Sequence, residues 1–169
     1  MVSFYLRDDK MKDEFNDIIK PYLTDEFYEL KSIEHHGITR YDHSIRVAYY
    51  TYLVTKVLHI NYEEATVAAL FHDFFTDEVE EEKSIFKLRR HPKYAIENAS
   101  KYVDLTDIQE DIIKTHMFPI TFTPPKYLES WIVDIIDDVS AVYEKAYSLR
   151  KEISAAMSFI FILVFYCIK

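Results

Sequence analysis

Glycine is almost absent from this chain: Gly37 is the only one in 169 residues. This excludes the phosphate-binding P-loop and the dinucleotide fingerprint, because each needs several glycines. It also disfavours an all-β fold, since tight hairpins depend on glycine for positive φ angles. Helices need few glycines, and a composition of 49% hydrophobic and 16% aromatic residues is typical of a folded domain. We therefore expect an all-α helical bundle that forms a single domain over residues 1–169.

Cysteine is equally scarce. Cys167 alone cannot form a disulfide framework or a cysteine-based zinc module, and it fits a reducing compartment. The formal net charge of −9 argues against nucleic-acid binding, which needs Lys and Arg to neutralise phosphates. The N-terminus also lacks the apolar segment of a secretory signal, because charged residues occupy positions 7–10. These observations predict a cytoplasmic protein.

Apolar periodicity in the first half of the chain predicts three or four helical segments. Residues 1–32 read as one or two amphipathic helices that break at Pro21. A polar connection over 32–40 leads to an amphipathic helix over 41–59. Asn61 and Glu64 have the spacing of a capping box, which predicts the start of a central apolar helix that ends near Asp73. We expect an acidic surface loop over 77–82.

Three further helices are predicted in the second half. Pro92 suits the first turn of a helix. Thr106 and Gln109 form a second capping-box pattern, which predicts the start of the next helix. The last helix begins at about Lys126 and either continues through Ser148 or breaks there. It leads into an apolar C-terminal helix over 150–168.

Several of these helices carry a histidine or an aspartate on an apolar face. His72 and Asp73 end the most apolar helix, where an unpaired carboxylate costs on the order of several kcal/mol. His116 shares the apolar face of its helix, and Asp137 interrupts another apolar stretch. A single residue of this kind is usually a hydrogen-bonded core residue. Together they favour a bound divalent cation, for which the core of a helical bundle is a common place.

The chain also resembles a known family. The segments Tyr41-Asp-His-Ser-Ile-Arg-Val-Ala48, Leu70-Phe-His-Asp73 and Ile136-Asp-Asp-Val-Ser-Ala141 resemble the H…HD…D pattern of HD-domain phosphohydrolases. His91-Pro-Lys-Tyr-Ala-Ile-Glu-Asn-Ala99 and Ile113-Lys-Thr-His-Met-Phe-Pro119 resemble a bacterial subgroup with two extra histidines before the last aspartate. The resemblance spans about residues 33–145, between the N-terminal helices 1–32 and the apolar C-terminal helix.

The resemblance implies a two-metal site and a hydrolytic activity. The first metal would be held by His43, His72, Asp73 and Asp137. Asp73 would also bridge to a second metal, which His91 and His116 would hold. Iron or manganese suits histidine and carboxylate ligands without thiolates, and zinc is an alternative. The implied reaction is cleavage of a phosphoester, in a nucleotide or another small phosphorylated substrate, by a metal-activated hydroxide. Asp73 and Arg46 would be the catalytic residues, Arg46 by binding a phosphate oxygen; its alternative is a surface ion pair.

Some residues depart from the family pattern. Ile136-Asp137-Asp138 stands where the family usually has Ala-Asp-Lys, so both aspartates are candidate ligands, with Asp137 favoured by its alignment. His35 and His36 flank Gly37, where a polar loop is favoured over a site role. A second interpretation of the whole chain is therefore a catalytically silent HD domain that binds or senses nucleotides.

The C-terminal segment 153–168 has no charged residue. Sixteen helical residues span about 24 Å, which is short of the roughly 30 Å hydrocarbon core of a membrane. A buried final helix or a homodimer interface is therefore favoured over membrane association through this segment.

Overall fold

The computed structural model describes the backbone of residues 2–35, 37–75 and 90–167 and the side chains of residues 9–35, 37–75 and 90–154. This part of the chain is all-α apart from one small hairpin, which confirms the predicted fold class. The helices are α1 (Val2–Ile19), α2 (Asp25–Glu29), α3 (Arg40–Val57), α4 (Tyr62–Phe71), α5 (His91–Ala99), α6 (Asp107–Thr115) and α7 (Leu128–Cys167). Short 3-10 turns cover Lys20–Tyr22 and Leu30–Ser32, and the strands are β1 (Glu34–His35) and β2 (Ile38–Thr39).

Helix α4 lies at the centre of the bundle. Every side chain from Ala65 to Phe71 is buried, as its continuous apolar sequence predicts. It packs against α3 on one side and α6 on another, with further contacts to α1 and α7. The C-terminal end of α4 therefore delivers the residues that follow it, His72 and Asp73, into the interior of the bundle.

The two capping boxes have different outcomes. The Thr106–Gln109 box forms as predicted, with both reciprocal hydrogen bonds present at the start of α6. The Asn61–Glu64 box does not form, because Asn61 makes no side-chain cap. Its backbone N–H and its side-chain amide both donate to Glu129 Oε1, at 3.3 and 3.2 Å. A buried carboxylate from α7 thus takes the place of the local cap.

The polar connection predicted over 32–40 contains a two-stranded antiparallel hairpin, in which His35 pairs with Ile38. Gly37 makes its turn with φ +90°, a conformation that favours glycine. A Cβ at this position would also lie 2.5 Å from the Cβ of Ser148 on α7. The only glycine of the chain is therefore required twice, for the turn and for close packing of the hairpin on α7.

Helix α7 continues through Ser148 without a break, into the segment predicted as a separate helix over 150–168. Most of segment 153–168, where membrane association was the alternative, lies outside the residues whose side chains are described. The acidic loop predicted over 77–82 lies outside the described residues altogether. Within the described residues, none of the helices has the length and apolar character needed to cross a membrane.

Candidate metal centre

The fold brings all six predicted ligands to one place in the bundle interior. Three helices and the C-terminal ends of two others contribute to it, and each of the six side chains is buried in the folded chain. The residues are His43 near the start of α3, His72 and Asp73 just after α4, His91 at the start of α5, His116 just after α6, and Asp137 within α7. These sequence-distant residues form two groups with metal-ligand spacing, each with its ligand atoms within 4.8 Å of one another.

The first group consists of His43, His72 and Asp137. Asp137 Oδ1 lies 2.8 Å from His43 Nε2 and 3.5 Å from His72 Nε2. All three side chains are buried, so their polar atoms face one another rather than water. Two imidazole nitrogens and one carboxylate oxygen thus converge on a single point, which is the donor set of a divalent cation site.

The second group consists of Asp73, His91 and His116. The Nε2 atoms of His91 and His116 lie 2.8 Å apart. Asp73 Oδ1 is 3.4 Å from the first and 3.5 Å from the second. Two imidazoles directed at the same carboxylate oxygen again form a donor set that fits a cation.

Asp73 connects the two groups through its two oxygens. While Oδ1 faces His91 and His116, Oδ2 lies 3.9 Å from His72 Nε2. A carboxylate with one oxygen on each side is positioned between two donor groups rather than within one. This placement is the geometry that a bridging ligand requires.

Three of the histidines are held by their Nδ1 atoms. His72 Nδ1 bonds the carbonyl oxygen of Ala69 at 2.6 Å, and His116 Nδ1 bonds that of Ile113 at 2.8 Å. His43 Nδ1 bonds Glu144 Oε2 at 2.9 Å. A carbonyl or carboxylate partner accepts a hydrogen bond from Nδ1–H, so in the neutral ring the lone pair lies on Nε2. The Nε2 atoms are the ones that face the two carboxylates.

The surroundings of His72 Nε2 show whether a metal fits this site. Among the described residues, His72 Nε2 is buried without any hydrogen-bond partner. A buried polar atom of this kind is costly unless something occupies the position that it faces. The donor atoms around it are imidazole nitrogens and carboxylate oxygens, which suit a divalent cation. The residues present therefore fit a bound metal.

Electrostatics keeps three of these groups in the state that metal binding needs. Burial opposes ionisation of Asp73, but the charge of His72 and the hydrogen bond from His116 hold its pKa well below the usual range. Asp137 behaves similarly, because His72 and His43 lower its pKa. Burial lowers the pKa of His91 to about 3. Near pH 7 the carboxylates are therefore ionised and His91 is neutral, as ligands must be.

His43 and His116 are the exceptions in the metal-free chain. Burial lowers the pKa of His116, but the hydrogen bond and charge of Asp73 outweigh that effect and raise it. Burial also lowers the pKa of His43, but the hydrogen bonds to Asp137 and Glu144 outweigh that effect and raise the pKa to about 10. The imidazolium form donates from both ring nitrogens to these carboxylates. A cation arriving at Nε2 must therefore displace a proton from His43.

The neighbouring aspartates lie outside the cluster. Asp138 is exposed, as expected for a residue about 100° around the helix from buried Asp137. Asp134 is buried and accepts the backbone N–H of Phe118 at 3.2 Å. Burial, and then the charge of Asp138, raise the pKa of Asp134 to about 6. Of the three aspartates, Asp137 is the one that the structure places between His43 and His72.

Comparison with known families agrees with this architecture. The family model for the HD domain matches residues 40–142, which is more than half of the chain. The chain belongs to the HD domain family. HD domains are generally metal-dependent hydrolases, and the histidine and aspartate groups here are compatible with metal binding. No curated protein and no solved structure matches the chain. Membership of the subgroup with two extra histidines stays a prediction.

Two residues outside the matched HD segment also contact the cluster, and Glu144 is the more deeply buried. Its side chain is 0% exposed, and its second oxygen accepts a hydrogen bond from Arg46 at 2.6 Å. Sequence reasoning did not identify Glu144. A signal was present, however, because it lies seven residues after Asp137, two turns along the same helix face. Arg46, which the sequence predicts to bind phosphate, forms this ion pair with Glu144, and its own side chain is 31% exposed.

His35 is the second such residue. Its Nε2 lies 3.6 Å from Asp73 Oδ2, and its ring centre is 4.7 Å from that of His43. The side chain is 21% exposed, more than those of the six ligands. His35 therefore stands at the edge of the HD-domain cluster, although its sequence position favoured a polar loop. His36 lies outside the described residues.

Arg40 fixes the backbone that follows the HD dipeptide. It is buried, donates from a terminal guanidinium nitrogen to the carbonyl oxygen of Phe75 at 2.8 Å, and stacks on the Phe75 ring at 4.0 Å. That ring in turn stacks on His91 at 5.3 Å. Through Phe75, Arg40 therefore connects the backbone that follows Asp73 to the imidazole ring of His91.

Proposed function

We propose that this HD domain is a phosphohydrolase with two divalent metals that cleaves a phosphoester of a nucleotide or another small phosphorylated substrate. The observation that carries the proposal is the position of Asp73. This buried carboxylate directs Oδ1 to His91 and His116 and Oδ2 towards His72. A bridging carboxylate between two imidazole-rich groups is characteristic of dinuclear hydrolytic sites.

The two donor groups would hold one metal each. His43, His72 and Asp137 would bind the first, His91 and His116 the second, and Asp73 would contribute an oxygen to both. When bound, divalent cations polarise a phosphoryl oxygen and lower the pKa of water. The mixed nitrogen and oxygen donors favour iron or manganese, with zinc as the alternative. In this proposal the protein is cytoplasmic and does not bind nucleic acid.

The polar residues around the donors would orient them and the substrate. Glu144 holds the His43 ring through Nδ1 and fixes the guanidinium of Arg46 beside it. Arg46 uses one terminal nitrogen for this bond and is partly exposed, so the guanidinium keeps other donors for a phosphate oxygen. Arg46 would then position an anionic substrate rather than take part in metal binding.

A second function is favoured by one observation. Asp138 adds an exposed negative charge next to Asp137, at a position where the resemblance suggests a lysine. A carboxylate there repels a phosphate, which weakens productive binding of an anionic substrate. The alternative is therefore an HD domain that holds metals and binds a nucleotide without turning it over.

The first test combines metal analysis with a phosphatase screen. Protein purified without chelators is expected to contain about two equivalents of iron or manganese per chain and to hydrolyse at least one phosphoester in a panel of nucleotides and sugar phosphates. Protein that contains no metal, and takes none up on addition, would contradict the proposal. Metal-loaded protein that binds nucleotides without hydrolysing any would support the alternative function.

A second test separates Asp137 from Asp138. Asp137→Asn is expected to remove the first metal and end turnover, since it takes a charged oxygen from between His43 and His72. Asp138→Lys should retain both metals and strengthen binding of an anionic substrate, because the side chain is exposed and outside the cluster. Metal content and KM measure the two effects. Metal loss from Asp138→Asn, with Asp137→Asn still active, would reverse the assignment.

A further inference from the structure

Helix α7 exposes a continuous row of apolar side chains. Its largest members are between 56% and 71% exposed: Leu128, Ile135, Val139, Val142, Leu149 and Ile153. Half-buried Ile132 and exposed Ala146 complete the row. Isolated exposed apolar residues are normal on a protein surface, but a contiguous row along one helix marks an interaction site.

The spacing of this row identifies the type of partner. Successive members are separated by alternating steps of four and three residues from Leu128 to Ile153. This is the a/d seam of a heptad repeat, which packs against another helix with the same repeat. The amino-acid sequence continues the same spacing at Ala156, Ile160 and Leu163. We name the row from Leu128 to Ile153 the α7 seam.

The described part of the domain leaves this seam uncovered. The side chains of α7 that enter the bundle, among them Val133, Asp137 and Glu144, lie on the opposite face of the helix. After Ser148, which contacts the hairpin at Gly37, the side chains as far as residue 154 are exposed. Within the described residues, the seam is therefore open along its length, both where α7 is packed on the domain and where it extends beyond it.

We propose that a second copy of this chain covers the α7 seam, through an antiparallel two-stranded coiled coil of the two α7 helices. A twofold symmetric pair presents the same surface patch from each partner, so one self-complementary seam is enough. The central layers would pair Ala146 with Leu149 of the second copy, and Val142 with Ile153 of the second copy. This proposal does not depend on the proposed function.

The charges beside the seam select the antiparallel arrangement. In a parallel pair in register, Lys145 at position g would face Arg150 of the second copy at position e, and the like charges would repel. With Ala146 opposite Leu149, an antiparallel pair instead places Lys145 next to Glu152 of the second copy. Symmetry forms this opposite-charge contact twice. The flanking charges therefore favour antiparallel pairing.

A membrane surface is a less suitable occupant for this seam. Lys145, Arg150 and Glu152 flank it within the exposed part of α7, and charged side chains are costly in hydrocarbon. Uncharged 153–168 alone would suit a membrane, but the heptad spacing runs through both parts of the helix. A coiled-coil partner accommodates the whole row, whereas a membrane accommodates only its end.

The experiment measures the mass of the full chain in solution across a concentration series. The wild-type protein should be a dimer, and Leu149→Asp should raise the dimer Kd at least about 100-fold, because it buries a charge in a central layer. Leu149 is 56% exposed in the single chain, so the Leu149→Asp substitution should leave the fold of each monomer intact. Tyr147→Asp is the matched control. Tyr147 is also exposed, at 49%, but lies off the seam, so the Tyr147→Asp protein should remain a dimer.

Charge exchange tests the orientation. Lys145→Glu and Glu152→Lys should each raise the Kd about 10-fold, and the double variant should restore it, since the opposite-charge contact is rebuilt. A monomeric wild-type protein, equal effects of Leu149→Asp and Tyr147→Asp, or a double variant without rescue would overturn the proposal. So would flotation of monomeric protein with phosphatidylglycerol–phosphatidylethanolamine vesicles. Metal content of the same samples tests the proposed function separately.

Discussion

Asp73→Ala is expected to abolish phosphoester hydrolysis, with a loss of at least about 1,000-fold, and to reduce bound metal to well below one equivalent per chain. Both donor groups depend on this carboxylate, because its two oxygens face different sets of imidazoles. Alanine removes both oxygens together and leaves His72, His91 and His116 without their shared anion. Metal analysis and single-turnover hydrolysis measure the two losses.

His91→Ala provides the matched comparison. His91 contacts the Oδ1 side of Asp73 and His116, and it is absent from the group of His43, His72 and Asp137. Its loss should therefore remove the second metal and leave about one equivalent in the first site. If Asp73→Ala and His91→Ala lose the same amount of metal, or if neither loses any, Asp73 does not bridge two sites.

Local sequence signals predicted much of the helical frame. Thr106 and Gln109 form their capping box because both hydrogen bonds are made within one helical turn. Helix α1 ends at Ile19, before Pro21, since proline lacks the N–H that a continuing helix would use. The continuous apolar sequence of α4 predicted a buried helix. In each case the deciding interaction lies within a few residues or depends only on burial.

Contacts between distant segments were not predictable in this way. The Asn61–Glu64 pattern fails as a cap because Glu129, 68 residues later, accepts the hydrogen bonds of Asn61. The hairpin at Gly37 depends on its fit against Ser148 of α7. Nothing near these positions in the sequence identifies their partners. These contacts follow from tertiary packing, which a local sequence pattern does not encode.

The same division applies to the metal centre. Polar residues on apolar helix faces, among them His72, Asp73, His116 and Asp137, indicated a shared site. The resemblance to HD-domain phosphohydrolases completed the set with His43 and His91, and the structure brings all six together. The choice between Asp137 and Asp138 required the rotation of α7 against the bundle, which sequence periodicity left open. The position of Glu144, seven residues after Asp137, was the available signal, but it was weak because a glutamate among exposed residues in a long helix is usually solvated. Only packing against His43 and Arg46 shows that it is buried.

Glu144→Gln is expected to weaken binding of the first metal and phosphoester hydrolysis by about 10- to 100-fold each. The carboxylate accepts hydrogen bonds from His43 Nδ1 at 2.9 Å and from Arg46 at 2.6 Å. Glutamine keeps the size of the side chain but loses the charge, and its amide nitrogen has no lone pair to offer either donor. The ring of His43 is then less firmly held, and its Nε2 becomes a weaker ligand.

Two variants separate this orienting role from a general loss of stability. Glu129 is another buried carboxylate of α7, bonded to Asn61 away from the metal centre, so Glu129→Gln should lower the unfolding free energy by about 1–3 kcal/mol without changing metal affinity. Arg46→Met should weaken substrate binding while the first metal stays bound, because among the described residues Arg46 reaches the cluster through Glu144. Metal titration of the folded proteins decides the matter. Equal losses of metal affinity from Glu144→Gln and Glu129→Gln would show that Glu144 acts through stability alone, and metal loss from Arg46→Met would assign the effect to the ion pair instead of the His43 hydrogen bond.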